Sequence, residues 1–156
     1  MTLRVAPVPL PAGTLLESYK AAGGYVDCFA VDLPRAVSLP QLIEAFYTSG
    51  AFRPERWLLG ALLGKHADDS DVAKLAAGKV QHFSAWRVEA RRDDQILLCD
   101  FQSKTRSWLM VAPGHGGTRV HFGSAVVEPG NLVFKVLLGF HRWYSRILLR
   151  GAVGRL

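Results

Sequence analysis

Two side chains that could exchange protons lie in the last long apolar segment of the chain, residues 131–150. His141 and Tyr144 are three residues apart, so a helix places both on the same side. An imidazole and a phenol in this arrangement suit proton transfer to or from a carbonyl or an enol. The structural alternative is a core histidine that is hydrogen-bonded to a strand carbonyl, with the tyrosine hydroxyl reaching solvent.

Asp100 is a third candidate for acid–base chemistry, because it alternates with Ile96 and Leu98 along a predicted strand. If that face of the strand points inward, Asp100 is a buried carboxylate that needs either a partner such as Arg106 or a raised pKa, and a buried acid is a site candidate. If the opposite face points inward, Asp100 is a surface charge. The alternation is compatible with both.

The motifs that usually hold metals, phosphates or nucleotides are missing from the sequence. No pair of histidines has the HxxxH or HExxH spacing, although the chain has five, at positions 66, 82, 115, 121 and 141. The glycine-rich GHGG stretch at 114–117 lacks the lysine of a phosphate loop, so it predicts a hairpin turn. We therefore predict no metal site and no cofactor.

The elements that must position these residues follow from the periodicity. After an irregular lead-in at 1–23, in which residues 14–22 form either a short helix or an extended edge, the pattern predicts a strand at 25–34. Three short helices follow, at 38–50, from Pro54, and at 69–78, and then four antiparallel strands, at 80–92, 95–101, 104–112 and 118–127. The order predicts one α+β domain over residues 1–156, with a curved antiparallel sheet wrapped around the C-terminal helix.

The predicted C-terminal helix has a basic side formed by Lys135, Arg142, Arg146 and Arg150. Charge is uneven along the chain: residues 1–100 hold 11 basic and 12 acidic side chains, whereas residues 101–156 hold 8 basic side chains and one acidic. This side either faces solvent only or meets an anionic membrane or partner. Basic residues are not interleaved with exposed aromatics, so we predict no nucleic-acid binding.

Composition indicates a globular protein, because 49% of residues are apolar and 21% are charged. The two cysteines, Cys28 and Cys99, form no CxxC motif, which favours a reducing compartment. No apolar stretch approaches the roughly 20 residues of a membrane span. We therefore expect a cytoplasmic protein without stable membrane insertion, and the oligomeric state stays open, a homodimer included.

Three segments, TRSWLMV (105–111), TRVHFGSAVV (118–127) and GFHRWYSRILLRGA (139–152), resemble the polyketide-cyclase/START-like (SRPBCC) helix-grip superfamily, in an uncharacterised bacterial branch. The resemblance covers residues 24–152. It implies a hydrophobic cavity between the sheet and the last helix, of the kind in which members bind lipids, sterols or aromatic polyketides. A minority of members are enzymes, and no catalytic residue set is shared. The chain is short, with about two strands fewer than the fullest members.

Together these observations predict a domain that binds a small hydrophobic or aromatic molecule, with the cavity lined by Trp86, Val88, Leu98, Trp108, His121, Leu137, Phe140, His141 and Tyr144. One alternative is a cyclase- or aromatase-like enzyme that uses His141 or Asp100 as its acid or base. The other alternative is an interaction module whose basic helix side meets an anionic membrane or a partner protein.

Overall fold

One open sheet of seven antiparallel strands organises the part of the chain that the computed structural model describes, namely residues 3–49, 69–83, 86–100, 103–127 and 145–156. The strands are β1 (Ala6–Pro7), β2 (Tyr25–Leu33), β3 (His82–Phe83), β4 (Trp86–Arg91), β5 (Gln95–Asp100), β6 (Thr105–Gly114) and β7 (Gly117–Val126). Their order in the sheet is β1-β2-β7-β6-β5-β4-β3. The helices are α1 (Glu17–Ala21), α2 (Leu39–Tyr47), α3 (Asp69–Ala76) and α4, which is described from 145 to 153. The predicted α+β class with an antiparallel sheet is confirmed.

Strand β7 lies between β2 and β6 and pairs with both along its length. Tyr25 is opposite Val126 at one end of the β2–β7 ladder, and Leu33 is opposite Thr118 at the other. The β6–β7 hairpin turns through residues 115–116, where Gly116 has a φ of 71°, a conformation that glycine adopts without steric cost. The predicted hairpin turn at GHGG is therefore confirmed, as is the sequential antiparallel pairing from β4 to β7.

The two faces of the sheet carry separate apolar clusters, because side chains alternate along each strand. We call the face that carries Phe29, Leu109 and Phe122 the inner face. These side chains belong to one buried cluster with residues of α2, α3 and α4, among them Leu148 and Leu149 of α4. The described part of α4 thus contributes to the inner layer, whereas its predicted start at residue 131 lies outside the described residues.

Helix α2 begins where the sequence predicts it. The Ser38 hydroxyl accepts a hydrogen bond from the Gln41 amide at 3.3 Å, and the Gln41 side chain accepts one from the Ser38 amide at 2.9 Å. This reciprocal pair is a capping box, which satisfies backbone donors that the first helical turn leaves free. The apolar side of the helix is buried against the inner face and comprises Leu39, Leu42, Ile43, Phe46 and Tyr47.

The opposite face, which we call the outer face, is covered by residues 8–21, the N-terminal segment. Leu16 is fully buried in a cluster with Trp108, Met110 and other outer-face side chains. A Cβ placed on Gly123 would lie 2.8 Å from both Leu16 Cδ2 and Trp108 Cε3, so only glycine lets the segment lie this close to the sheet. The expectation of an irregular lead-in at 1–23 is thus corrected, because this stretch contains β1 and α1. Of the two forms left open for residues 14–22, the helix is correct.

The prediction of a single strand at 80–92 is wrong. Strands β3 and β4 pair with each other, with Phe83 opposite Trp86. Within β4 the register shifts, since Val88 is opposite Leu98 but Ala90 is opposite Leu97. Glu89 is therefore the extra residue of a β-bulge, and beyond it the two faces of the strand exchange.

The other predictions about elements have mixed outcomes. The strand at 25–34 and the helix at 69–78 correspond to β2 and α3, whereas the helix predicted from Pro54 lies outside the described residues.

Among the helices that the structure describes, none combines the length and apolar character that a membrane-spanning segment requires. Both cysteines are buried, and burial raises the pKa of the Cys28 thiol to about 12.

Candidate functional site

The sheet separates the residues that the sequence assigned to one cavity. Trp86, Val88 and Leu98 lie on the inner face, because Leu98 belongs to the inner cluster and the other two pack against that cluster. Trp108 and His121 lie on the outer face, with Trp108 in the second cluster and His121 opposite the outer-face residue Met110. Their assignment to the cavity on the inner face is therefore corrected.

Both outer-face residues are enclosed beneath the N-terminal segment. The Trp108 indole is fully buried and donates a hydrogen bond to Gln95 Oε1 at 3.0 Å. The His121 ring lies 6.0 Å from the Trp108 ring, and its Nδ1 has no hydrogen-bond partner within the described part of the chain. Burial lowers the pKa of His121 from 6.5 to about 4, so the ring is neutral at pH 7.

Asp100 lies on the inner-face side of β5 but is used to close the next turn. One of its carboxylate oxygens, Oδ1, accepts hydrogen bonds from the Lys104 amide at 2.8 Å and the Thr105 amide at 3.3 Å. The predicted partner, Arg106, is on the outer face instead, where it pairs with Glu89 at 3.2 Å. The first alternative for the strand face is thus correct, but the proposed ion pair is wrong.

Polar side chains that are not among the predicted cavity lining form a row across the inner face. Asp27 of β2 is opposite Ser124 of β7, and Ser124 is opposite Ser107 of β6. All three are buried, and side chains at such paired positions have Cβ atoms about 5 Å apart. We call Asp27, Ser107 and Ser124 the polar row. The available signal was Asp27, which interrupts the inward-facing apolar residues of a predicted strand.

The polar row is partly satisfied by the protein itself. Asp27 accepts hydrogen bonds from the Ser124 amide at 2.9 Å and the Tyr25 hydroxyl at 3.0 Å. The Ser107 hydroxyl lies 3.5 Å from the hydroxyl of Tyr47, which α2 brings over the sheet. Ser124 itself is 95% buried, its exposed fraction being 5%, and its amide is the donor to Asp27.

Aromatic rings line the same layer next to the polar row. The rings of Tyr47 and Phe83 are 5.3 Å apart, and those of Phe46 and Phe122 are 4.8 Å apart. Phe46 and Tyr47 themselves meet edge to face at 5.0 Å, which joins the two pairs. We call Phe46, Tyr47, Phe83 and Phe122 the aromatic wall. The aromatic wall is an apolar surface of mutually tilted rings next to the hydroxyl groups of the polar row.

Trp86 extends this wall at the β3–β4 hairpin, where it is directly opposite Phe83. Its indole Nε1 is buried and has no hydrogen-bond partner among the described residues. An indole N–H can only donate, so this atom is an unused donor at the end of the aromatic wall.

Four of the predicted site residues lie outside the described residues, namely Leu137, Phe140, His141 and Tyr144. Within the ranges that the structure describes, no group of three His, Cys, Asp or Glu side chains is arranged to hold a metal ion. The described inner face thus offers hydroxyl groups, an indole donor and carboxylates that are already hydrogen-bonded. These groups suit binding of a neutral polar group on an apolar molecule.

Comparison with known proteins adds no relative. No protein-family model, curated protein or solved structure matches this chain. The helix-grip resemblance therefore stays a prediction that rests on the sequence segments and on the order of elements.

Proposed function

We propose that this protein binds a small apolar or aromatic molecule on the inner face of its sheet, between the sheet and its C-terminal helix. The observation that carries the proposal is the polar row. Ser107 and Ser124 bring two hydroxyl groups into a layer that is otherwise formed by apolar cluster residues and the aromatic wall.

Burial of these hydroxyl groups is unfavourable for a purely structural core. A buried hydroxyl without a hydrogen bond costs about 1–3 kcal/mol relative to its hydration in water. Valine at either strand position would remove that cost and favour the strand. A bound molecule that carries a polar group would form hydrogen bonds with the Ser107 and Ser124 hydroxyls.

The helix-grip arrangement belongs to the same proposal. Residues 145–153 are helical, and Leu148 and Leu149 share the inner cluster with Phe29 of the sheet. In the proposal this helix continues back towards residue 131, the sheet curves around it, and Leu137, Phe140, His141 and Tyr144 complete the lining of the cavity.

A fluorescence titration tests the proposal. N-Phenyl-1-naphthylamine is a neutral apolar dye whose emission rises when it leaves water, so we expect saturable binding close to one molecule per chain. Ser124→Leu places apolar bulk in the middle of the polar row, and Ser107→Leu does so one strand away. Each variant is expected to lower dye affinity at least tenfold, while Ser18→Leu, at an exposed position in α1, leaves it unchanged.

The same variants report whether there is free space over the polar row. If a cavity is present, Ser124→Leu fills it and the variant unfolds cooperatively at a temperature near that of the wild type. If side chains already fill the space, overpacking costs about 1–3 kcal/mol or more and the melting temperature falls. Absence of saturable dye binding to the wild type, or overpacking at both serines, would overturn the proposal.

A further inference from the structure

We infer that the bound molecule carries a neutral hydrogen-bond acceptor, such as a ketone or ether oxygen, and that Trp86 Nε1 donates to it. The inference rests on the proposed binding function and adds the chemical class of the ligand. It is carried by the position of one unpaired donor next to the aromatic wall.

Trp86 is held in place by backbone pairing on two sides and by the packing of its side chain. Trp86 pairs with Phe83 of β3 and with Asp100 of β5, so its backbone is fixed in the ladder. Its side chain packs against the inner cluster, to which Phe83 also belongs. The buried Nε1 atom nevertheless has no acceptor in the described structure. An acceptor on a bound molecule would recover the hydrogen bond that burial has removed.

The aromatic wall determines where the apolar part of such a molecule would lie. Phe83 lies between Trp86 and Tyr47. It is directly opposite Trp86 in the β3–β4 ladder, and its ring is 5.3 Å from the Tyr47 ring. A flat ring system placed against these rings would bring an oxygen on its edge towards the Trp86 indole. Aromatic rings favour such offset or edge-on contacts at centroid distances of about 4.5–7 Å.

The charges of the described inner face favour a neutral acceptor over a carboxylate. Asp27 and Asp100 place two carboxylates on this face, and Asp100 is directly opposite Trp86. Arg91 is the inward-pointing cation on β4, the strand that also carries Trp86. Its guanidinium already donates hydrogen bonds to the Leu75 and Ala76 carbonyls at 2.7 and 2.6 Å. Within the described part of the inner face, a ligand anion at Trp86 would therefore meet repulsion from these carboxylates, and the Arg91 cation is already bound.

Arg146 of α4 does not change this balance. Its guanidinium carbon lies 5.6 Å from the centre of the Phe29 ring. Phe29 is on β2, which is separated from β4 by β7, β6 and β5 in the sheet. The step from β2 to β4 is four strand spacings of about 4.8 Å each. The Arg146 cation is therefore roughly 19 Å from Trp86 across the sheet.

Competition between three matched molecules for the dye tests the inference. Fluorene, 9-fluorenone and fluorene-9-carboxylate share one ring system and present no acceptor, a neutral acceptor and an anion. In the wild type we expect 9-fluorenone to displace the dye at a concentration about tenfold lower than fluorene does, and fluorene-9-carboxylate to be weaker than 9-fluorenone. Trp86→Phe is expected to abolish the preference for the ketone, so that fluorene and 9-fluorenone displace the dye at equal concentrations.

Trp108→Phe is the matched control, because it removes an indole N–H from the outer face and is expected to keep the preference. A second readout needs no variant: in a ¹H–¹⁵N spectrum of the wild type, 9-fluorenone should shift the Trp86 indole resonance downfield and fluorene should not.

Each outcome separates the inference from the function on which it rests. Equal displacement by fluorene and 9-fluorenone in the wild type, or a preference that survives in Trp86→Phe, refutes the acceptor and leaves the binding function standing. Failure of the wild type to bind the dye at all removes the binding function, and the inference falls with it.

Discussion

Gln95 is the residue whose replacement tests most directly how the N-terminal segment is held on the sheet. Its side-chain oxygen Oε1 accepts two hydrogen bonds, from the Leu15 amide at 2.9 Å and from Trp108 Nε1 at 3.0 Å. One donor belongs to the segment and the other to the sheet beneath it. Gln95 is itself buried, with 4% of its surface exposed, so water does not replace it readily.

Gln95→Leu keeps the size of the side chain and removes the acceptor. The Trp108 indole is fully buried, and leaving its N–H unpaired costs about 1–3 kcal/mol. The Leu15 amide is only partly buried, so the loss of its hydrogen bond to Gln95 adds about 1 kcal/mol. We therefore expect the free energy of unfolding to fall by about 2–4 kcal/mol, a large share of the roughly 5–15 kcal/mol that stabilises an ordinary domain.

Urea unfolding measures this loss, and hydrogen exchange locates it. With an m-value of roughly 2 kcal/mol per molar urea, the midpoint should fall by about 1–2 M. The Leu15 amide should exchange faster than in the wild type. Gln81→Leu is the control, because Gln81 is exposed and its replacement should change stability by less than about 0.5 kcal/mol.

A double-mutant cycle with Trp108→Phe separates the two hydrogen bonds. When the indole N–H is already absent, Gln95→Leu should cost only the Leu15 contribution, so the coupling energy should be about 1–3 kcal/mol. A cost below about 0.5 kcal/mol for Gln95→Leu, with unchanged protection of the Leu15 amide, would show that Gln95 does not hold the segment.

Two further predictions concern Arg91 at the end of β4 and His121 in the middle of β7. Arg91→Met should lower the free energy of unfolding by about 1–3 kcal/mol, because the Leu75 and Ala76 carbonyls lose their donors. Arg92→Met, at the neighbouring exposed position, should change the free energy of unfolding by less than about 0.5 kcal/mol. Equal effects of the two variants in urea unfolding would contradict this. His121 has its pKa lowered to about 4 in the folded protein, so the unfolded chain binds more protons between pH 6.5 and 4, and stability should fall as the pH is lowered through this range. In His121→Gln this part of the pH dependence should disappear, and an unchanged profile of melting temperature against pH would refute it.

Much of the fold could be predicted from local signals. The helix predicted at 38–50 is confirmed in its start, and the side chains that cap it, Ser38 and Gln41, are only three residues apart. The strands from β5 to β7 follow from alternation and short turns. Such features depend on near neighbours in the chain, which the sequence displays directly.

The covering of the outer face could not be predicted in the same way. Residues 8–21 contain prolines and little periodicity, and their position depends on contacts with Gln95, Trp108 and Gly123, more than 70 residues further along the chain. A segment held by distant hydrogen bonds has no local pattern. For the same reason the sequence could not assign Trp108 and His121 to a face.

The bulge at Glu89 shows why the candidate site was predicted only in part. Strict alternation places Trp86, Val88 and Ala90 on one face, but the extra residue sends Ala90 to the outer face and Arg91 to the inner one. Arg91 can then bind the C-terminal carbonyls of α3, and Glu89 itself is free to bind Arg106 and the Tyr19 hydroxyl. One inserted residue thus ties β4 both to the helical layer over the inner face and to the N-terminal segment over the outer face. Because a bulge is defined by the partner strand, the tie exists only once β5 is paired, and alternation along β4 alone could not reveal it.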